Sequence, residues 1–148
     1  MTSRDGKHPV IVVGYDGSAT ARAAVDYAAG QVGSTGKLFV VHAYGPPPDW
    51  LGAPQYQRVL DDHQARGRAV LDALTMGDDP LLDTDFETEL MDARPGEAIA
   101  RVAETRGADA IVIGSRGLGR VRTALGSVSQ DVLHRARVPV VVIPAAEE

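Results

Sequence analysis

The chain has 148 residues, of which 44% are hydrophobic and 24% charged, a balance that suits a compact globule and excludes a disordered polyelectrolyte. It contains no cysteine, which rules out disulfides, thiolate metal sites and cysteine nucleophiles. The opening MTSRDGKHP lacks the apolar stretch of a secretory signal, and no apolar run approaches the roughly 18 residues of a membrane span, so a soluble cytoplasmic protein with one domain over 1–148 is expected.

In chain order, the first apolar run is VIVVG at 10–14, short, β-branched and unbroken, as suits a strand buried on both faces. Gly14-Tyr15-Asp16-Gly17-Ser18 follows, with Ser18 the N-cap of a helix whose inner stripe is Ala21, Ala24, Val25, Ala28 and Val32, and Gly33 its stop. A second strand, LFVVHAY at 38–44, carries His42 towards its end, read as a hydrogen-bonded, partly buried histidine. Pro46-Pro47-Pro48 then forms a stiff segment leading to Trp50, expected to pack against the next helix, with closure over a ligand as the alternative. That helix carries Tyr56, Val59, Leu60, His63, Val70, Leu71 and Leu74 on one side, and Gly67 weakens its middle.

Residues 84–91 alternate Thr84, Phe86, Thr88 and Leu90 against Asp85, Glu87 and Glu89, the pattern of a half-exposed edge strand. Pro95 opens a helix with Ile99, Val102 and Ala103 inward, and Gly107 closes it. AIVIG at 110–114 and VPVVVIP at 138–144 read as two more buried strands. The order β-α-β-α-β-α-β-α-β with right-handed crossovers predicts a doubly wound, five-stranded, mostly parallel α/β sheet of Rossmann-like type, with helices on both faces. Ligands of such sheets sit beyond the carboxyl ends of the strands, where the connections change direction. Asp16 and Gly17 follow the first strand and a glycine loop follows the fourth, so the two converge on one crevice.

That loop is Gly114-Ser115-Arg116-Gly117, eight residues, then Gly126-Ser127. Glycines let backbone N–H groups converge on an anion, and a helix start near Ser127 adds unpaired donors and the positive end of the dipole. Ser127-Val128-Ser129-Gln130 equally fits a capping box that needs no ligand. The net charge is −5, yet residues 115–137 hold five arginines against one aspartate, a local +4 that leaves −9 on the rest and favours an anionic ligand by the loop. An acidic remainder with 5% aromatics argues against nucleic acid. Neither a P-loop, a dinucleotide fingerprint nor a nucleophile elbow occurs.

IVVGYDGS, VVHAY, GADAIVIGSRG and GSVSQDVLHRARVPVVVIP together resemble the universal stress proteins along nearly the whole chain. The resemblance implies an adenine nucleotide alpha hydrolase-like fold and, in the family's ATP-binding branch, ATP, with Mg2+ as a possible companion. It implies Asp16 beside ribose and adenine, the backbone of Tyr15 and Ala43 near the base, Gly114, Arg116 and Gly117 along ribose and phosphates, and Gly126, Ser127, Val128 and Ser129 on phosphate. Asp16 also reads as a residue that organises its own turn. The ATP-binding branch has nine residues before the last glycine; here 118–125 supply eight. A residue lost from a turn is absorbed, whereas one lost from helix rotates the register by about 100°. The resemblance places the third and fifth strands at the sheet edges. The uncharged stretch Val138 to Ile143 then invites a homodimer through the last strands, as is usual in the family. The function implied is a nucleotide-occupied regulatory or chaperone-like module in stress response. The alternatives are a slow ATPase or autophosphorylating enzyme, and a nucleotide-free interaction module.

Overall fold

The computed structural model describes residues 8–76, 83–115 and 125–145. Within them strand and helix alternate: β1 (Val10–Gly14), α1 (Ala19–Val32), β2 (Lys37–Tyr44), α2 (Ala53–Thr75), β3 (Asp85–Asp92), α3 (Pro95–Thr105), β4 (Ala110–Gly114), α4 (Ser127–Arg135) and β5 (Val140–Ile143). The five strands form one sheet in the order β3-β2-β1-β4-β5, and each neighbouring pair is parallel. The chain builds outward from β1 to β2 and β3, then crosses back to place β4 on the other side of β1. Right-handed crossovers in opposite directions put α1 and α2 on one face and α3 and α4 on the other.

The strand period of two then sorts each run between two cores. Ile11, Val13, Leu38, Val40 and Val112 pack with α1 and with Leu71 and Leu74 of α2. Val12, Phe39, Val41, Ile111 and Ile113 pack with Ile99 and Val102 of α3 and Val132 of α4. Both faces of β1 are therefore dry, as its unbroken run required: Ile11, Val12 and Val13 are fully buried.

Helix α1 follows its local signals. The Ser18 hydroxyl accepts from the Ala21 N–H at 3.1 Å, and Gly33, at φ 61°, ends the helix. Ala21, Ala24, Ala28 and Ala29 are buried and let the helix lie close on the sheet.

The two edges differ. On β3, Asp85 and Glu87 pair with Lys37 at 2.9 and 3.5 Å, and Glu89 accepts from Arg106 Nε at 2.8 Å. The hydrogen bond to Asp85 holds the Lys37 ammonium charged beyond the usual lysine range. Lys37 and Arg106 also stand over the Phe39 ring, at 5.7 and 4.9 Å from its centre. This charged lattice blunts the edge. The other edge, Val140–Ile143, carries no charge, and its four side chains are half-buried.

Three expectations are corrected. Gly67 is less a weak point of α2 than its point of closest approach: a Cβ there would fall 2.5 Å from Leu90 Cδ1 and 3.0 Å from His42 Cδ2. Trp50 does not pack on α2. A turn closed by the Leu51 N–H on the Pro48 carbonyl, at 3.2 Å, leaves it 79% exposed. The last strand spans four residues rather than 138–144, beginning after Pro139, which has no N–H to give a ladder. No helix among the described residues is long and apolar enough to cross a membrane.

Two glycine substitutions separate close approach from helix propensity. Gly67→Val should cost about 1–3 kcal/mol by overpacking. Gly30→Ala, in an exposed stretch of α1 with nothing within 4 Å of the added methyl, should gain roughly 0.5–1 kcal/mol. Urea unfolding measures both, and equal signs would contradict this packing.

Candidate functional site

Strands β1 and β4 are neighbours, Val13 lying opposite Val112, and their chains leave for opposite faces, β1 into α1 and β4 towards α4. A crevice opens where the two carboxyl ends part.

One wall is the turn Tyr15 to Ser18. The Tyr15 N–H donates to the Val41 carbonyl at 2.8 Å, and the Tyr15 carbonyl accepts from His42 Nδ1 at 2.8 Å. Asp16 Oδ1 accepts from the Ser18 N–H at 2.9 Å, and Gly17 follows at φ 86°, a torsion that favours glycine. Asp16 thus organises its own turn with one carboxylate oxygen, in agreement with the plainer reading of that residue. Ala43 is half-buried on β2, two residues past Val41, which stands opposite Gly14.

The other wall joins the end of β4 to the start of α4. The Ser115 N–H donates to the Ile143 carbonyl at 2.8 Å, and the Ser115 carbonyl accepts from the Gly126 N–H at 2.7 Å. Ser129 is buried, and its hydroxyl lies 2.7 Å from the Gly114 carbonyl and 3.1 Å from that of Ser115. These bonds fix the helix start against the strand end. The capping-box expectation fails at this point. The N-cap is Gly126, not Ser127; Ser127 is the first helical residue, and the Gln130 amide donates to the Leu125 carbonyl at 2.9 Å instead of turning back to the cap. A glycine cap offers no side-chain acceptor, so among the described residues the N–H groups of Ser127, Val128 and Ser129 have neither a preceding turn nor a side-chain cap to satisfy them. Helix α1 has Ser18 in that role; α2 and α3 likewise lack a side-chain cap, but Pro54 and Pro95 each remove one donor from their first turns.

The electrostatics point the same way. The first turn of α4 has no acid to offset its positive end, and His134 and Arg135 complement the negative end. Ser127 and Val128 are exposed. The arginines are a different matter: Arg135 pairs with Asp131 at 2.9 Å, and Arg137 lies 3.8 Å from Glu104, so neither is an uncommitted cation for a ligand. Arg116 and Gly117 lie outside the described residues, as do 118–124. Leu125 and Gly126 are non-helical, and α4 begins at Ser127.

The structure therefore brings Tyr15, Asp16, Gly114, Gly126, Ser127, Val128 and Ser129 to one end of the sheet, with Ala43 one strand away. The sequence identified His42 as a hydrogen-bonded strand-end histidine but not its partner, the carbonyl of Tyr15. The available signal was a polar residue ending a buried strand.

The family model for the universal stress protein family matches residues 8–144. A universal stress protein of Thermus aquaticus, from the 3′ region of a QAH/OAS sulfhydrylase gene, is 39% identical over 136 residues, covering 90% of this chain and 96% of that one. Universal stress protein UspA from Lactobacillus plantarum shares the fold at TM-score 0.73 and 23% identity, covering 93% and 98% of the two chains. A universal stress protein crystallised in complex with cAMP aligns at TM-score 0.59 and 26% identity, covering 95% and 99%.

The roles of the two serines separate on mutation. Ser129→Ala strips a hydrogen bond from the half-buried strand end at Gly114 and should cost about 1 kcal/mol or more. Ser127→Ala, at an exposed position that caps nothing, should stay within about 0.5 kcal/mol of the parent in ligand-free protein. A loss near 1 kcal/mol at Ser127, read by urea unfolding, would reinstate the capping box.

Proposed function

The chain belongs to the universal stress protein family, and we propose that it is an adenine-nucleotide-binding module of that family, with ATP as its ligand and a regulatory or chaperone-like role in stress response. The observation that carries this reading is the first turn of α4, whose N–H groups lack side-chain caps among the described residues and stand at the sheet's switch point beside the end of β4. An anion is the natural partner of such a turn. The relative crystallised with cAMP supports adenine nucleotides as the ligand class.

In this reading Asp16 and the backbone of Tyr15 and Ala43 receive the base and ribose. Gly114, Gly126, Ser127 and Val128 line the phosphates, with Arg116 and Gly117 completing the loop. Ser129 contributes its N–H, because its hydroxyl proton is engaged with the strand end. Mg2+ would enter with the nucleotide's own phosphates. The protein works in the cytoplasm as a homodimer through β5. The uncharged edge Val140–Ile143 and the exposed Leu133 on α4 support that assembly.

Titration calorimetry with ATP, AMP and cAMP tests the ligand. ATP should bind, and Ser127→Asp, which adds a negative charge where phosphate would sit while favouring the helix dipole, should weaken it by about tenfold or more without lowering stability. No heat and no thermal shift with any of the three at millimolar concentration would end the nucleotide reading. For the assembly, Val141→Lys should give a monomer by light scattering, and an unchanged dimer would contradict pairing through β5.

A further inference from the structure

We propose that His42 is a positioning residue for this site, one that holds the Tyr15–Ser18 turn in its ligand-ready shape through the backbone of Tyr15. The inference rests on the nucleotide reading for its consequence in binding, but not for its structural claim.

The Tyr15 carbonyl can only accept, so at 2.8 Å the His42 Nδ1 must carry the proton and donate. The same residue's N–H is held by Val41 at 2.8 Å. The peptide groups on both sides of Tyr15 are thus tied to β2, one by backbone and one by a side chain. The next carboxylate, Asp16, then reaches the Ser18 N–H at 2.9 Å, and the Ser18 hydroxyl starts α1. His42 stands at the head of this chain of bonds. Without it, the carbonyl that sets the direction of the turn loses its side-chain anchor.

The imidazole is itself kept in place from α2. His42 lies opposite Leu90 in the β2–β3 register, and both side chains crowd the position where a Cβ on Gly67 would stand. Three residues further along the helix, Val70 Cγ1 lies 3.6 Å from the corresponding point on Gly17. Helix α2 therefore flanks the turn directly at Val70 and indirectly through Gly67 and His42. A strand-end histidine needed only for filling would be replaceable by any side chain of its volume; one that orients Tyr15 is replaceable only by a donor at the Nδ1 position.

That difference makes the test. His42→Leu keeps apolar volume without the donor, whereas His42→Asn keeps an N–H near the place of Nδ1 with less packing. By thermal unfolding the leucine variant should be at least as stable as the asparagine variant. Amide exchange in ligand-free protein should run the other way: Tyr15 to Ser18 exchange about tenfold faster in His42→Leu, and close to the parent in His42→Asn. ATP affinity should follow exchange, falling about tenfold in the leucine variant and recovering in the asparagine variant. Equal exchange in the two variants, or affinity that tracks thermal stability, overturns the positioning role. A parent protein that binds no adenine nucleotide refutes the proposed function instead, and the exchange measurement still decides the case of His42.

Discussion

Everything in this molecule depends on β1 being dry on both faces. Ile11 and Val13 look into one core and Val12 into the other, so each face of the strand needs its own cover. A parallel strand cannot return to its neighbour by a hairpin, and each crossover must carry a helix over one face. Building β2 and β3 to one side with α1 and α2 covers one face. Covering the other forces the chain back across the sheet to β4, with α3 and α4. The crevice at the carboxyl ends of β1 and β4 is the geometric result of that reversal, and the candidate site occupies it.

The reversal also decides which polar groups stand there. Both strands end in glycine, and both chains need new hydrogen-bond partners as they leave the ladder. At β1 they come from neighbouring backbone and side chains: Val41 and His42 hold Tyr15, Asp16 holds Ser18, and Ser18 caps α1. At β4 the accounts close only partly. Ser115, Gly126 and Ser129 tie strand to helix, but a glycine cap leaves the first turn of α4 without side-chain acceptors among the described residues. A closed turn thus faces an open one: bonds of its own hold the first, and among the described residues no side chain caps the second.

Much of this was legible in the chain because it is written in local chemistry. The runs at 10–14 and 110–114 fall on β1 and β4, Ser18 and Gly33 bound α1 as a cap and a left-handed stop should, and the acid-studded run lies on the edge strand β3. What escaped was tertiary. Whether Ser127 or Gly126 caps α4 depends on where the Ser115 carbonyl draws the Gly126 N–H. Gly67 reads as a propensity defect until Leu90 and His42 are seen to need its missing side chain. Trp50 reads as a packing residue by its size, yet the turn closed at Pro48 carries it away from the helix it precedes. The arginine-rich tail gives a true charge asymmetry, but Asp131 and Glu104 engage Arg135 and Arg137 locally.

We propose that the open first turn of α4 receives phosphate while the closed turn after β1 receives the nucleoside. A nuclear magnetic resonance titration of the labelled protein with ATP and, separately, adenosine addresses it most directly. ATP should move the amides of Ser127, Val128 and Ser129 together with those of Tyr15 to Ser18, whereas adenosine should move only the latter group. Amides at the start of α4 that stay still under saturating ATP, or that respond equally to adenosine, would contradict the account.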